Sequence, residues 1–435
     1  MSRPSRREFL LASMAGAAAL SSASSLRAAG ANDRLRVGLI GCGGRGKYLA
    51  GVFGEARLNV DVAAIADADA GRLAEAAQKL GTPAQGAHRD FRAILDDASI
   101  DAVIVATPDH WHAPAAILAC DAGKHVYVEK PCSHNVREGR LLVEAARRNR
   151  RVVEHGTQVR STSMMIEAVE RLCAGLIGDV LAAKAWNIQR RRDIGREQPG
   201  DPPAELDYDL WVGPAAFIPY QKNRVHDGWH WWYHFGTGDM GNDGIHDLEY
   251  ARWGLGVETH PSRVAALGGK YFFDDDQEFP DTQQVAFEYP GDGRPGSRRM
   301  LIFEQRLWST NYPYNCDSGV EFYGTKGQMF LSRRGKAQVL GERNRREQLD
   351  FSLNEQDAPA HVADFCDAVR NNRRPNADAE IAHLTASLCH LGNIATRLGR
   401  SLEFDPQNEQ IVGDEEANRL LSREYRPHWG TPRGV

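Results

Sequence analysis

Gly41, Gly43 and Gly46 form a G-x-G-x-x-G pattern directly after the apolar run Leu35–Ile40. In a strand–turn–helix unit the first glycine permits a tight turn, the second lets a pyrophosphate approach the backbone, and the third lets the helix pack on the strand. Free N–H groups at the start of that helix attract phosphate. The pattern predicts a dinucleotide site, in which we include the adjoining residues Gly44 and Arg45.

Asp67 follows the second predicted strand, about 20 residues after the glycine pattern. A carboxylate at this place accepts hydrogen bonds from the ribose hydroxyls and repels a 2′-phosphate. Neither Ala68 nor Asp69 supplies a compensating cation, although Arg45 or Arg72 could reach a phosphate. The sequence therefore predicts NAD in preference to NADP.

A polar run from Ala106 to His112 follows the fourth predicted strand. Ligands of open parallel sheets bind at the carboxyl ends of the strands. We therefore expect Thr107, Pro108, His110 and His112 to border the cofactor. For the two histidines, packing at the start of a helix is the alternative interpretation.

Glu129 and Lys130 end the fifth predicted strand and are followed by Pro131. A lysine at this edge faces the same crevice, where its ammonium can stabilise the alkoxide that develops as hydride leaves a carbinol. We predict a catalytic role for Lys130 and contact with the cofactor for both residues. A surface lysine that caps a loop is the alternative.

A third polar cluster spans 236–249 and opens an amphipathic helix. Its His246 is the predicted general base, because imidazole titrates near neutral pH, and Asp243 is a second catalytic candidate. Asn242 is expected to contact substrate together with His246. The aspartates beside His246 could suggest a metal, but the glycine-rich run gives no fixed ligand spacing, so no metal is predicted.

An aromatic run, 229–234, lies just before this cluster. It could be buried core or a wall on which a sugar stacks. Trp231 is the residue that we expect to contact substrate, and both interpretations stay open.

The surrounding pattern predicts an α/β protein. Strands and helices alternate from residue 35 to about 153, which is typical of a Rossmann dinucleotide-binding domain with a parallel sheet. From about 156 the strand candidates are longer and separated by turns, which predicts a C-terminal α/β domain with a large, mostly antiparallel open sheet. The expected boundaries are 32–155 for the first domain, 156–400 for the second and 401–435 for a C-terminal tail.

Residues 1–31 have the pattern of a twin-arginine export signal, with Arg6-Arg7 before a short apolar run, Leu11–Leu20. That run is too short to span a bilayer, so no membrane span is expected after cleavage; an uncleaved N-terminal anchor is the alternative. Seven scattered cysteines give no disulfide or zinc pattern, which agrees with folding before export. We therefore expect a periplasmic or otherwise exported protein that uses the twin-arginine machinery and carries its nucleotide tightly bound.

The 435 residues carry a formal net charge of −5, which gives no reason to expect a nucleic-acid or anionic-membrane partner. The motifs in this order resemble the glucose–fructose oxidoreductase/inositol dehydrogenase (Gfo/Idh/MocA) family. The resemblance implies a homodimer or homotetramer that oxidises a sugar, polyol or cyclitol by hydride transfer to a nicotinamide, with Lys130 and His246 as the catalytic pair. One departure is Asn242, because the family commonly has aspartate four residues before the catalytic histidine.

Three functions remain open at this stage. The first is an exported sugar oxidoreductase with tightly held NAD. The second is a redox-neutral glycoside hydrolase, lyase or epimerase that works through a transient keto-sugar. The third is a nucleotide-binding sensor without turnover.

Overall fold

A computed structural model describes residues 34–349 and 351–426, so the predicted export signal lies outside the described residues. Its N-terminal part is a six-stranded parallel sheet with the order β3-β2-β1-β4-β5-β6. The strands are β1 (Leu35–Ile40), β2 (Val60–Ala66), β3 (Ala87–His88), β4 (Ala102–Val105), β5 (His125–Val128) and β6 (Val153–His155). The helices that cover it are α1 (Gly44–Phe53), α2 (Ala70–Leu80), α3 (Arg92–Asp96), α4 (Asp109–Asp121) and α5 (Val136–Asn149).

The central strands of this sheet are apolar on both sides. Val37 and Leu39 of β1 and all four residues of β4 are fully buried, as expected for a parallel sheet with helices on both faces. The strand order reverses between β1 and β4, and the carboxyl ends of strands at such a point form a ligand crevice. The predicted Rossmann domain is confirmed.

The second sheet has ten strands in the order β14-β13-β12-β11-β7-β10-β9-β8-β15-β16. All neighbours are antiparallel except β7 and β10, so the predicted mostly antiparallel sheet is confirmed. The strands are β7 (Val180–Asn187), β8 (Arg263–Gly269), β9 (Thr282–Tyr289), β10 (Arg299–Arg306), β11 (Ser318–Gly324), β12 (Gly327–Ser332), β13 (Lys336–Leu340), β14 (Arg346–Glu347), β15 (Leu402–Asp405) and β16 (Gln410–Ile411). The helices of this half are α6 (Ser163–Cys173), α7 (Tyr208–Val212), α8 (Ile245–Gly254), α9 (Ala358–Asn371), α10 (Ala379–Leu398) and α11 (Glu415–Arg419).

Helices α8 and α10 pack on one face of this sheet, α8 against β7 and β11 and α10 against β8. The alternating pattern of β9, in which Gln283, Val285 and Phe287 are buried, places its apolar residues toward these helices. As a result the start of α8, which carries His246, is fixed by the sheet at the side of the Rossmann crevice.

The expected boundary at residue 400 does not separate a tail from the second domain. Leu402 and Glu403 pair with β8, so this segment is a strand of the sheet. Helix α9 also departs from the expected division, because its Phe365 packs edge-on against Phe53 and Tyr127 of the Rossmann half. Pairing of an edge strand and docking of a helix depend on contacts far apart in sequence, which local patterns do not contain.

Within the described residues, no helix has both the length and the apolarity to span a bilayer.

Candidate active site

A cavity of about 460 Å³ lies where the Rossmann crevice meets the start of α8. It brings together predicted residues that are up to about 200 positions apart in sequence. The predicted residues that line it are Gly41, Gly43, Gly44, Arg45, Asp67, Thr107, Pro108, His112, Glu129, Lys130, Asn242, Asp243 and His246.

The glycine turn has the geometry that its residues imply. Gly41 has a φ of +96°, and a Cβ on it would lie 2.5 Å from the Ala106 carbonyl oxygen. A Cβ on Gly46 would lie 1.9 Å from the Gly41 carbonyl oxygen, so Gly46 lets α1 pack on the turn without itself lining the cavity. No side chain caps the start of α1 at Gly43, which leaves its first N–H groups available for a phosphate.

Asp67 anchors this turn from the end of β2. Its two carboxylate oxygens accept hydrogen bonds from the backbone N–H groups of Cys42 at 2.7 Å and Asp69 at 2.8 Å. Burial raises the pKa of Asp67, and the two backbone donors oppose that shift. The remaining lone pairs of the carboxylate can accept ribose hydroxyls.

Two arginines line the same end of the cavity. They are Arg72, a candidate from the sequence, and Arg89, which follows the two-residue strand β3 and could not be predicted because no local motif marks it. The Arg89 guanidinium donates to the carbonyl oxygens of Ala68 at 2.5 Å and Glu205 at 3.1 Å, so backbone atoms hold it in place.

Thr107 provides a test of whether a dinucleotide fits here. Its hydroxyl is buried, lines the cavity at the end of β4, and has no hydrogen-bond partner within the described residues. A buried hydroxyl without a partner costs about 1–3 kcal/mol. A bound nucleotide would supply that partner, so Thr107, the glycine turn and Asp67 together fit NAD.

His110 does not border the cavity, and the expectation of cofactor contact is wrong for it. Helix α4 begins at Asp109, and residues two apart on a helix point to opposite sides. His110 is therefore buried, with its Nε2 2.9 Å from the Trp211 carbonyl oxygen. Pro114 lies inside the helix and has no N–H for the His110 carbonyl, which instead accepts a hydrogen bond from Arg423 at 2.6 Å.

His112 does line the cavity. Its ring nitrogens lie 2.6 Å from the Pro131 carbonyl oxygen and 2.8 Å from that of Thr107. Burial lowers the pKa of this imidazole. Bonded on both sides, it joins the ends of β4 and β5 and is not free to act as a base.

Glu129 forms an ion pair with Arg45 across the glycine turn, at 2.7 Å. Burial alone would raise the pKa of Glu129, but the cations of Arg45 and Lys130 lower it. The pair ties the end of β5 to the start of α1. The neighbouring Lys130–Pro131 peptide bond is cis.

Lys130 crosses the cavity to the segment before α8. Its ammonium donates to the backbone carbonyl of Asn242 and, at 3.1 Å, to the side-chain oxygen of the same residue. The Asn242 amide nitrogen in turn donates to Asp239 at 3.1 Å. Residues Met240–Gly244 form a turn of π-helix, a feature common at functional sites. Asn242 therefore positions Lys130 rather than the imidazole of His246.

His246 lies in the first turn of α8 and faces the cavity. Its Nδ1 is buried without a hydrogen-bond partner among the described residues. Burial, with the positive charges of Arg333 and Lys130, holds the pKa of His246 well below its usual value. At neutral pH the ring is therefore uncharged and can accept a proton.

Asp243 is bound between two cations. Its carboxylate pairs with Arg191 on one oxygen and with Arg333, at 3.2 Å, on the other. Burial opposes ionisation, but Arg333 and Arg191 lower the pKa of Asp243. This arrangement makes it a fixed anion beside His246. Arg191 follows β7 and Arg333 follows β12, and neither could be predicted from the sequence because no local motif marks it.

Trp231 is part of the buried aromatic core, so the expectation that it contacts substrate is wrong. The segment Trp229–Trp231 is a short 3₁₀ helix, in which consecutive side chains point about 120° apart. Trp231 packs with Trp211 and Phe235, whereas Trp229 and His230 line the cavity. The buried-core interpretation therefore holds for Trp231, and contact with substrate stays a prediction for Trp229 and His230.

One group of possible metal ligands, His260, His383 and Glu409, occurs within the described residues, with its ligand atoms within 4.8 Å of one another. It lies outside the cavity, and Arg140 donates two hydrogen bonds to the Glu409 oxygen that both histidines contact. A guanidinium in that position competes with a cation. We interpret the group as a hydrogen-bonded anchor for the segment before β16.

Two family models match the chain. Residues 35–157 match the oxidoreductase family NAD-binding Rossmann fold, and residues 186–293 and 319–431 match the oxidoreductase family C-terminal alpha/beta domain. The chain belongs to the Gfo/Idh/MocA oxidoreductase family. This membership confirms the resemblance and the expected NAD-binding domain.

Individual relatives cover the chain to different extents. A glycosyl hydrolase family 109 protein of Shewanella pealeana is 34% identical over 37% of this chain and 36% of its own length. The scyllo-inositol 2-dehydrogenase (NAD(+)) of Bacillus subtilis is 26% identical over 79% of this chain and 88% of its own. Levoglucosan dehydrogenase in complex with NADH and levoglucosan has the same fold, with a TM-score of 0.64, 20% identity, and coverage of 88% of this chain and 100% of that one. Alignments with three of the most similar curated relatives span between 36% and 61% of their lengths.

Proposed function

We propose that this protein oxidises a carbinol of a sugar, polyol or cyclitol and transfers the hydride to a tightly held NAD. The observation that carries the proposal is that Lys130 and His246, from different domains, line the cavity that also contains the glycine turn and Asp67. Inositol and levoglucosan dehydrogenases among the similar proteins support this substrate class.

The residues divide the chemistry between them. NAD, when bound, accepts the hydride. Lys130, positioned by Asn242, donates a hydrogen bond to the carbinol oxygen and stabilises the negative charge that develops there. His246 takes the hydroxyl proton, because its low pKa keeps the ring uncharged. Asp243, fixed by Arg191 and Arg333, stabilises the imidazolium that forms.

We also propose export by the twin-arginine route and permanent retention of the nucleotide. The Arg6-Arg7 pair before a short apolar run supports export. All seven cysteines are free, as in a protein that folds in a reducing compartment. A compartment without a nicotinamide pool then requires the cofactor to travel inside the folded protein.

A third proposal is a homo-oligomer joined through the outer face of the ten-stranded sheet. Leu267 of β8 is 81% exposed and Met300 of β10 is 43% exposed on that face, and apolar patches of this kind mark interfaces. Analytical ultracentrifugation of the full chain tests it: a monomer at micromolar concentration would refute it.

Protein purified from the periplasm gives the decisive test of the catalytic proposal. Denaturation should release nicotinamide, seen in the absorbance spectrum; its absence would refute tight retention. A panel of aldoses, polyols, cyclitols and aryl glycosides should then include a compound that reduces the bound cofactor, with an absorbance rise near 340 nm. If no member of the first three classes does so, oxidation of this substrate class is refuted.

A redox-neutral hydrolase, lyase or epimerase is the second candidate function. Glycosyl hydrolase family 109 relatives favour it, and so does a second imidazole, because His230 lines the same cavity. Burial, with Lys130 and Arg191, lowers the pKa of His230 well below its usual value, so it too can accept a proton. Release of aglycone without net reduction of the cofactor, lost in His230→Phe, would establish this function in place of net oxidation.

A further inference from the structure

A second cavity, of about 250 Å³, lies outside the candidate active site, beside the carboxyl-terminal half of α10. The segment before α5, the aromatic run and the residues after α11 complete its wall. The lining residues that matter for its chemistry are His134, His234, His390, Asn393, Arg397 and Arg423.

Several polar atoms of these residues are buried without a hydrogen-bond partner within the described residues. They are Nε2 of His134, Nδ1 of His234, Oδ1 of Asn393, and Nε and Nη1 of Arg423. Each such atom carries a desolvation penalty, and folded proteins leave few of them. Their concentration around one cavity indicates a ligand that supplies several hydrogen-bonding atoms.

The wall of the cavity carries basic side chains and no acidic ones. No aspartate or glutamate is among its lining residues. Arg397 lies 4.2 Å above the ring of Tyr233 and forms no ion pair with the described residues. Arg423 pairs with Glu138 at 2.7 Å through Nη2 alone. Two other carboxylates contact lining residues and are already engaged: Glu278 accepts a hydrogen bond from the backbone N–H of Tyr233 at 2.6 Å, and Asp109 accepts one from the Thr237 hydroxyl at 2.6 Å.

The basic residues around the cavity also affect the pKa of His134. Burial lowers the pKa of His134 well below its usual value, and the neighbours that add to the shift are Arg423, His110, His390 and His234. All of these neighbours are basic. A negative charge in the cavity would offset the positive charge of the two arginines and accept hydrogen bonds from both.

We propose that this cavity binds a small oxyanion, either inorganic phosphate or the carboxylate of a small organic acid. Its volume is below the range of about 300–1,000 Å³ that holds drug-sized ligands, so it suits a group of this size and not a second nucleotide. Arg397 and Arg423 hold the charge, and the uncharged imidazoles donate to the remaining oxygens.

Titration calorimetry tests the proposal on the full chain saturated with NAD, so that the probe cannot occupy the dinucleotide site. Inorganic phosphate and succinate are titrated separately in low salt, and the tighter of the two identifies the source of the oxyanion. Arg397→Gln should weaken the tighter binding about tenfold or more. Arg374→Gln, an exposed arginine before α10 with no ion pair within the described residues, is the matched control and should bind as the unaltered chain does.

Crystals soaked in selenate provide a second measurement that does not depend on a variant. The proposal expects an anomalous peak between Arg397 and Arg423. Failure of both probes to bind, equal binding in Arg397→Gln, or selenate only at other positions would overturn it.

Discussion

Lys130 donates hydrogen bonds to both the backbone carbonyl and the side-chain oxygen of Asn242. This contact joins the end of β5 in the Rossmann half to the π-helical turn that leads into α8. The residue that departs from the family's common aspartate is thus the one that positions the lysine. No hydrogen bond joins Asn242 to His246 among the described residues, so Asn242 does not orient that imidazole.

Asn242→Leu should lower kcat. The change removes the side-chain acceptor of Lys130 and the amide that donates to Asp239, and loss of positioning in an active site costs about tenfold or more. Steady-state kinetics would measure kcat, and NAD binding should remain within about twofold because no part of the glycine turn changes. Asn371→Leu, at the exposed end of α9, serves as the control. An unaltered kcat would contradict the positioning role.

Lys130→Met and His246→Ala should each abolish hydride transfer while NAD stays bound. The first removes the donor to the carbinol oxygen, and the second removes the acceptor for its proton. Single-turnover absorbance near 340 nm measures transfer, and the spectrum of the denatured protein measures retained cofactor. Lys79→Met, on the exposed side of α2, should behave as the unaltered enzyme. Full activity in either catalytic variant would refute the assignment.

The pH dependence of kcat/KM should reflect the environment of His246. Its pKa is held low by burial, Arg333 and Lys130, so the acid limb should lie below pH 6.5. Removing a cation favours the protonated ring and raises its pKa, so Arg333→Met should move the acid limb to higher pH by about half a unit or more. Arg334→Met, whose side chain pairs with Asp317 at 3.0 Å instead, should leave the limb in place. A limb unmoved in Arg333→Met would exclude His246 as the titrating base.

Asp67→Ala should weaken NAD binding and reduce discrimination against NADP. The carboxylate holds the turn through Cys42 and Asp69 and is the expected acceptor for the ribose hydroxyls. Loss of hydrogen bonds to a charged group costs about 1.5–3 kcal/mol, which is about tenfold or more in Kd. Fluorescence titration with both nucleotides measures the change. Asp61→Ala, on the exposed side of β2, should retain the original preference, and equal NAD affinity in Asp67→Ala would contradict the role.

Replacing both Arg6 and Arg7 by lysine should retain the protein in the cytoplasm. The twin-arginine machinery reads that pair, and lysine lacks the planar guanidinium. Cell fractionation followed by immunoblotting locates the protein, with Arg3→Lys as the control. Normal export of the double variant would exclude this route.

Local patterns predicted the elements well where strands and helices are long and regular. The bounds of β10 and α10 agree with their apolar periodicity, and β1 follows directly from its apolar run. The start of α4 at Asp109 depends on a distant residue. Pro114 leaves the His110 carbonyl without its helical donor, and the Arg423 side chain supplies that hydrogen bond. A side chain from the opposite end of the chain cannot be inferred from local sequence.

The amino-acid sequence by itself determined the Rossmann turn, the carboxylate after β2 and the family, because each depends on short-range spacing along one strand–turn–helix unit. Only the tertiary structure decided which side chains reach the cavity. Helical periodicity directs the side chains of His110 and Trp231 into the core. The ends of two strands bring Arg191 and Arg333 to Asp243. The tertiary structure also placed Asn242 within hydrogen-bond distance of Lys130, since contacts between domains depend on how the two sheets pack.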